Sequence, residues 1–240
     1  MGAFPPPPFE DWVEYCFTRG YDDFHGDTDD SEEVVEELEE RFICMDPTAL
    51  AQHLTRLFEA PSFVADRYSN DQIGSATWFI FGCASSYFGT IRAARIDPEL
   101  QIRCIRSIAT LYSDLFDKVC GHRGSEPDVD LREICEVDGA VYMIWDMDEL
   151  EGAVMFPEKG PHLVEPGIEV LESVLKRCRT SACLTSALYG IGNIYCIHSG
   201  NGNKVVAQRM RRMVDDFLNT REIPDWVREY AACAREGHVW

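Results

Sequence analysis

The densest concentration of possible chemistry is Asp22-Asp23-Phe24-His25-Gly26-Asp27-Thr28-Asp29-Asp30, a run of carboxylates around a glycine like that of a calcium loop. An EF-hand loop takes oxygen ligands at positions 1, 3 and 5, glycine at 6 and glutamate at 12. With Gly26 at position 6, those places fall to Tyr21, Asp23, His25 and Glu32, and tyrosine and histidine are the wrong donors. The remaining reading is electrostatic. From Asp22 to Glu40 there are 11 acidic residues and no lysine or arginine. A charge run is ordinarily a solvated face. Here the uncompensated acids repel one another, a cost that a bound cationic surface would relieve. Asp22, Asp23, Asp27, Asp29, Asp30, Glu32, Glu33, Glu36 and Glu37 are therefore the expected contacts for a basic protein partner, with no metal and no cofactor expected.

Other chemistry has weaker local support. The histidines, at 25, 53, 122, 162, 198 and 238, include no H-x-x-x-H or H-E-x-x-H pair. Cys196 and His198 are two apart on one expected helix and point in different directions. No nucleophile elbow, P-loop or dinucleotide fingerprint occurs. Gly190-Ile191-Gly192 lacks a preceding strand, and Ala182, Ser186 and Gly190 read better as a close helix–helix contact. Asp138, Asp146, Asp148 and Glu149 flank Val141-Tyr142-Met143-Ile144-Trp145, which reads as a buried core helix with a charged exit. An enzymatic alternative would need a dispersed site, for which Asp71, His198 and Asp146 are the candidates. The ten cysteines have irregular spacings without a C-x-x-C, and most fall in apolar helical patterns. Reduced core thiols are the expectation.

The chain has 240 residues and a formal charge of −20, is 45% hydrophobic and 27% charged, and so has a globular composition. This charge disfavours nucleic acid, whose phosphates need cations, and anionic membrane surfaces. The charge is uneven: residues 1–60 carry 16 acidic and 3 basic side chains, whereas residues 176–235 carry 5 and 10. In that basic end Arg209, Arg211 and Arg212 remain able to meet an anion. Neither a signal-peptide pattern nor a membrane-length apolar run is visible, so a cytoplasmic location is expected.

Positioning falls to helices, because apolar residues recur at helical spacing nearly throughout and strand alternation is nearly absent. Helices are expected over 9–19, 31–44, 47–59, 61–68, 71–82, 84–93, 98–119, 131–148, 166–178, 181–198, 203–218 and 225–235. Val34, Val35, Leu38, Phe42 and Met45 form the apolar stripe of the acidic helix. Asp46-Pro47 and Asp97-Pro98 each pair an N-cap acid with proline at the first helical position. Asp30 with Glu33 suggests a capping box. The expected fold is all-α, an irregular HEAT-like solenoid of about 11–12 helices or, alternatively, an irregular bundle. Its parts are an acidic extension over 1–46 and a helical domain over 47–240, with hinges near 121–130 and 151–165.

Five strings carry a resemblance: Tyr68-Ser69-x-Asp71-Gln72-Ile73 with Trp78; Arg103-Cys104-Ile105-Arg106-Ser107; Tyr142-Met143-Ile144-Trp145-Asp146; Ala182-Cys183 with Ser186-Ala187-Leu188-x-Gly190-x-Gly192; and Tyr230-Ala231-Ala232-x-Ala234-Arg235-x-Gly237-x-Val239. Together they resemble a family of uncharacterised bacterial helical proteins, some encoded beside polymorphic-toxin genes. The likeness covers roughly residues 47–240. Where that family carries histidines this chain has Tyr189 and Asn193, which argues against a histidine site. The resemblance implies a non-catalytic immunity protein that neutralises a cognate toxin. A general helical adaptor and a dispersed-site enzyme are the alternatives.

Overall fold

A computed structural model describes residues 5–26, 28–93, 95–121, 136–147, 150–152 and 160–239. Helix α1 (Phe9–Thr18) and a short α2 (Gly20–His25) precede α3 (Glu32–Phe42), α4 (Pro47–Glu59), α5 (Ser62–Arg67), α6 (Asn70–Phe81) and α7 (Tyr87–Ala93). Helix α8 (Pro98–Leu111) continues through a π-helical stretch, Tyr112–Phe116, into a last turn, Asp117–Val119. Then follow α9 (Glu136–Met143), α10 (Val164–Arg177), α11 (Ser181–Gly200), α12 (Lys204–Thr220) and α13 (Asp225–Arg235). All regular elements among the described residues are helical, and none is long and apolar enough to cross a membrane.

The expected start signals work as capping chemistry requires. Asp46 accepts the Ala49 N–H at 2.9 Å and Asp97 accepts the Glu99 N–H at 3.1 Å, each beside its first-turn proline. At α6, Ser69 and Gln72 satisfy each other's backbone N–H groups in a complete capping box. Each such cap is worth about 0.5–2 kcal/mol. The box expected at Asp30 and Glu33 does not form. The Asp30 carboxylate is turned to Arg19 instead, and the N-cap of α3 is Ser31, which makes no side-chain cap bond.

Alternate helices pack side by side: α4, α8 and α10 in one row, and α6, α9, α11 and α13 in another, with α1 laid on α6. Helix α11 also packs on α10 and α12. Its small residues permit the approach to α9. A Cβ added at Gly190 would lie 2.8 Å from Trp145 Cγ, and Ser186 Oγ donates to the Val141 carbonyl at 2.6 Å. One hydrophobic core runs through Trp12, Leu54, Phe79, Leu111, Trp145, Ile191 and Val227, so it crosses the boundary expected at 46/47. Residues 122–130 and 153–159 of the two expected hinges lie outside the described residues.

The cysteines split. Cys16, Cys104, Cys120, Cys178 and Cys183 are buried, as core thiols are, but Cys44, Cys83, Cys196 and Cys233 are exposed, so the apolar helical patterns around Cys44, Cys196 and Cys233 did not put those thiols in the core. Cys44 sits in the exit from α3 and Cys196 and Cys233 on the outer edges of amphipathic helices, where a periodic pattern does not specify which edge is covered.

A candidate protein-docking face

Helix α1 is held in the core by Trp12, Val13 and Cys16. The chain breaks at Arg19 and re-enters helix at Gly20, where only hydrogen fits: a Cβ there would meet the Phe79 ring at 2.8 Å. The first half of the segment read as a potential calcium loop, Asp22 to His25, is thus helix α2, closed by Gly26 at φ +74°. A helix does not wrap its carboxylates around a cation as an EF-hand loop does.

Arg19 gathers two of the acids. Its guanidinium bonds Asp23 through Nε at 3.3 Å and Nη2 at 3.0 Å, and Nη2 also bonds Asp30. The hydrogen bond that Arg19 donates to Asp23, then that to Asp30, raises the Arg19 pKa, so this charge is fixed at any physiological pH. Asp23 is only 5% exposed, which corrects its assignment as a contact residue: it is a buried staple. Asp30 is exposed but shares Arg19. Asp27 lies outside the described residues. Asp22, Asp29, Glu32, Glu33, Glu36 and Glu37 are all exposed.

Helix α3 rests on the body by its C-terminal end. Phe42, its one buried residue, stacks on Tyr15 with ring centroids 4.5 Å apart and planes 8° apart. Tyr87 Oη donates to the Phe42 carbonyl at 2.9 Å, one of the final carbonyls that an α-helix leaves without an internal partner. The same hydroxyl accepts from Trp12 Nε1 at 3.1 Å. Arg41 lies over the Phe42 ring at 5.0 Å and pairs with Asp11 at 3.5 Å. Toward the N-terminus the stripe expected to be buried is left open. Val34 is 41% exposed, Val35 and Leu38 are half-buried, and Phe24 on α2 is 46% exposed.

Charge pairing sharpens the contrast. Away from this face, Glu10 pairs with Arg56, Glu14 with Arg67, Glu59 with Arg103, Glu165 with Arg209, Glu169 with Arg106, and Asp215 with Arg235. Among the described residues, Glu32, Glu33, Glu36, Glu37 and Glu40 have no such cation. Exposed pairs contribute little to stability, about 0–1 kcal/mol each, but they neutralise those six acids locally. The face of α3 stays negative, with Glu32/Glu36, Glu33/Glu37 and Glu36/Glu40 at the like-charge spacing that destabilises a helix by about 0.2–0.5 kcal/mol per pair. The basic end is internally occupied: Arg209 binds Glu165, and Arg211 binds Glu236. These two are therefore not free for an external anion.

The dispersed-site candidates do not come together as a triad. Asp71 borders a cavity of about 120 Å³ with Arg19 and Asp22. Asp146 accepts the Tyr189 hydroxyl at 2.7 Å. His198 is nine residues beyond Tyr189 on α11, about 13 Å along the axis at about 1.5 Å per residue, and Tyr189 leans toward the opposite end. Asp138 is buried and spent on the Gly121 N–H at 2.9 Å, while Asp148 and Glu149 lie outside the described residues.

Sequence reasoning located the acids but missed Arg19, Tyr15 and Tyr87, which position them. A lone arginine before an acidic run was the available signal for the first. The two tyrosines looked like ordinary core. Compared with protein-family models, curated proteins and solved structures, the chain shows no match.

Proposed function

We propose that the chain is a non-catalytic protein-binding protein that receives a cationic partner on α3 and the adjoining turn, and that its biological role is neutralisation of a toxin from the same genome. The observation that carries the binding reading is the acidic face of α3, where Glu32, Glu33, Glu36, Glu37 and Glu40 lie exposed along one helix with no ion-paired cation among the described residues. Phe24 and Val34 supply exposed apolar contacts within it. Long-range attraction brings the partner in, and desolvated apolar anchors hold it. The immunity role is supported by the resemblance of the strings at 68–78, 103–107, 142–146, 182–192 and 230–239 to helical proteins encoded beside toxin genes. An immunity protein must capture its toxin before damage occurs, which opposite charge accelerates.

Co-expression with the product of the neighbouring gene tests the role. Rescue of growth together with a complex that co-elutes on size exclusion is expected. Neither rescue nor complex would sink the proposal.

A further inference from the structure

Three cysteines distant in sequence converge where α8, α10 and α11 meet. Cys178 ends α10, Cys183 lies in the first turn of α11, and Cys120 closes the last turn of α8. Cys183 is in side-chain hydrogen-bond contact with both Cys178 and Cys120. A carboxylate oxygen of Asp117 and the sulfurs of Cys178 and Cys183 all lie within 4.8 Å of one another. Asp117 and Cys120 are three residues apart and so share a helical face. All three cysteines are at most 4% exposed.

We propose that Cys120, Cys178, Cys183 and Asp117 form a binding site for a thiophilic divalent cation with the coordination chemistry of zinc. A tetrahedral zinc with bonds of about 2.3 Å to sulfur sets its sulfurs about 3.8 Å apart. The Asp117 oxygen and the Cys178 and Cys183 sulfurs already lie within about 1 Å of that spacing, and Cys120 joins them through its contact with Cys183. On binding, three metal–sulfur bonds form, three thiol protons pass to solvent, and the carboxylate supplies the fourth bond. The inference is independent of the docking face.

Three further features fit a built site. The π-helical stretch Tyr112–Phe116 directly precedes Asp117 and adds residues to its turn, resetting the face on which Asp117 and Cys120 emerge. Asp117 is already oriented: Oδ1 accepts from Arg179 N at 2.6 Å, Thr180 N at 2.7 Å and Thr180 Oγ1 at 3.0 Å. Among the described residues no group donates to Oδ2, which is free to bind an ion. Outer hydrogen bonds of this kind fix ligands for a metal. The loaded site would carry a net charge of −2, and cations surround it. Arg221 donates to the carbonyls of Lys176 at 2.6 Å and Cys178 at 2.5 Å, with Lys118, Arg177 and Arg179 adjacent in the chain.

The test uses the full chain, reduced and chelator-stripped, titrated with Co²⁺ as an optical probe and then with Zn²⁺. A thiolate-to-cobalt charge-transfer band with tetrahedral visible bands, saturating at one ion per chain and displaced by zinc, is expected. Cys183→Ser should abolish the band, Cys104→Ser should retain it, and Asp117→Asn should weaken affinity at least about 10-fold. Should the Cys183 variant fail to fold, the native chain still decides. Zinc should shield Cys120, Cys178 and Cys183 from alkylation in a brief denaturant pulse, while Cys44 and Cys196 react regardless. A missing band without shielding, a band that survives Cys183→Ser, or an air-formed Cys178–Cys183 disulfide whose reduced form takes up no metal would each overturn the site.

Discussion

Replacing Tyr87 with phenylalanine isolates the joint that holds the acidic helix to the body. The Tyr87 ring is fully buried, 6.0 Å from Trp12 and 5.6 Å from Phe79 between centroids, and phenylalanine fills the same volume without leaving a cavity. Only the hydroxyl is lost. It receives the Trp12 indole N–H at 3.1 Å and gives its proton to the Phe42 carbonyl at 2.9 Å. Both partners then remain buried without a bond, at about 1–3 kcal/mol each. Phenylalanine has no hydroxyl to desolvate, which offsets part of this and leaves a net loss of about 2–4 kcal/mol. Tyr112→Phe is the internal comparison. Tyr112 Oη bonds Ser186 Oγ at 2.8 Å, but Ser186 keeps its own bond to the Val141 carbonyl at 2.6 Å, so about 1 kcal/mol is expected. Urea denaturation followed by helical circular dichroism gives both values. Hydrogen exchange should show the Tyr87→Phe loss concentrated in α3 and α1. A Tyr87→Phe loss below about 0.5 kcal/mol, or one no larger than that of Tyr112→Phe, would refute the view that this hydroxyl anchors α3.

Two other perturbations test the packing and the surface pairs. Gly190→Ala would place a Cβ 2.8 Å from Trp145 Cγ and 3.1 Å from Leu171 Cδ2, so overpacking should cost about 1–3 kcal/mol and lower Tm; an unchanged Tm would contradict the close packing of α11 on Trp145 and α10. The Arg103 hydrogen bond holds Glu59 below its ordinary value of 4.5, so the pair's contribution is present above that pH and is lost as pH falls through the folded-state value. The difference in urea midpoint between native protein and Glu59→Gln should therefore shrink from about pH 6 to about pH 3, and a constant difference would assign the effect to packing instead.

Much of the helical framework was legible because capping and periodicity are local. Asp46-Pro47 and Asp97-Pro98 act within one turn, and both caps are present; the Ser69–Gln72 box, equally local, was not anticipated. Helix α2 was not legible, since Asp22 and Asp23 are poor helix formers and Gly20 looks like a breaker until Phe79 is found against it. The acidic face was visible as composition, yet Asp23 belongs to the interior because Arg19, four residues earlier, folds onto it. The thiol cluster was invisible: Cys120 and Cys178 are 58 positions apart in the sequence, and no short-range spacing records their meeting. Likewise the stripe Val34, Val35, Leu38, Phe42 and Met45 predicts an amphipathic helix but not that Phe42 and Met45 would be buried while Val34 stays exposed.

The docking proposal is tested most directly by association kinetics. The native chain and a variant carrying Glu32→Lys, Glu33→Lys, Glu36→Lys and Glu37→Lys together are mixed with the protein encoded by the neighbouring gene across a range of ionic strength. These four side chains are exposed, so the variant should keep the native fold. An on-rate reduced at least about 10-fold at low salt, with a flattened salt dependence, is the predicted result. An on-rate unchanged by the reversal would contradict it and remove α3 from recognition.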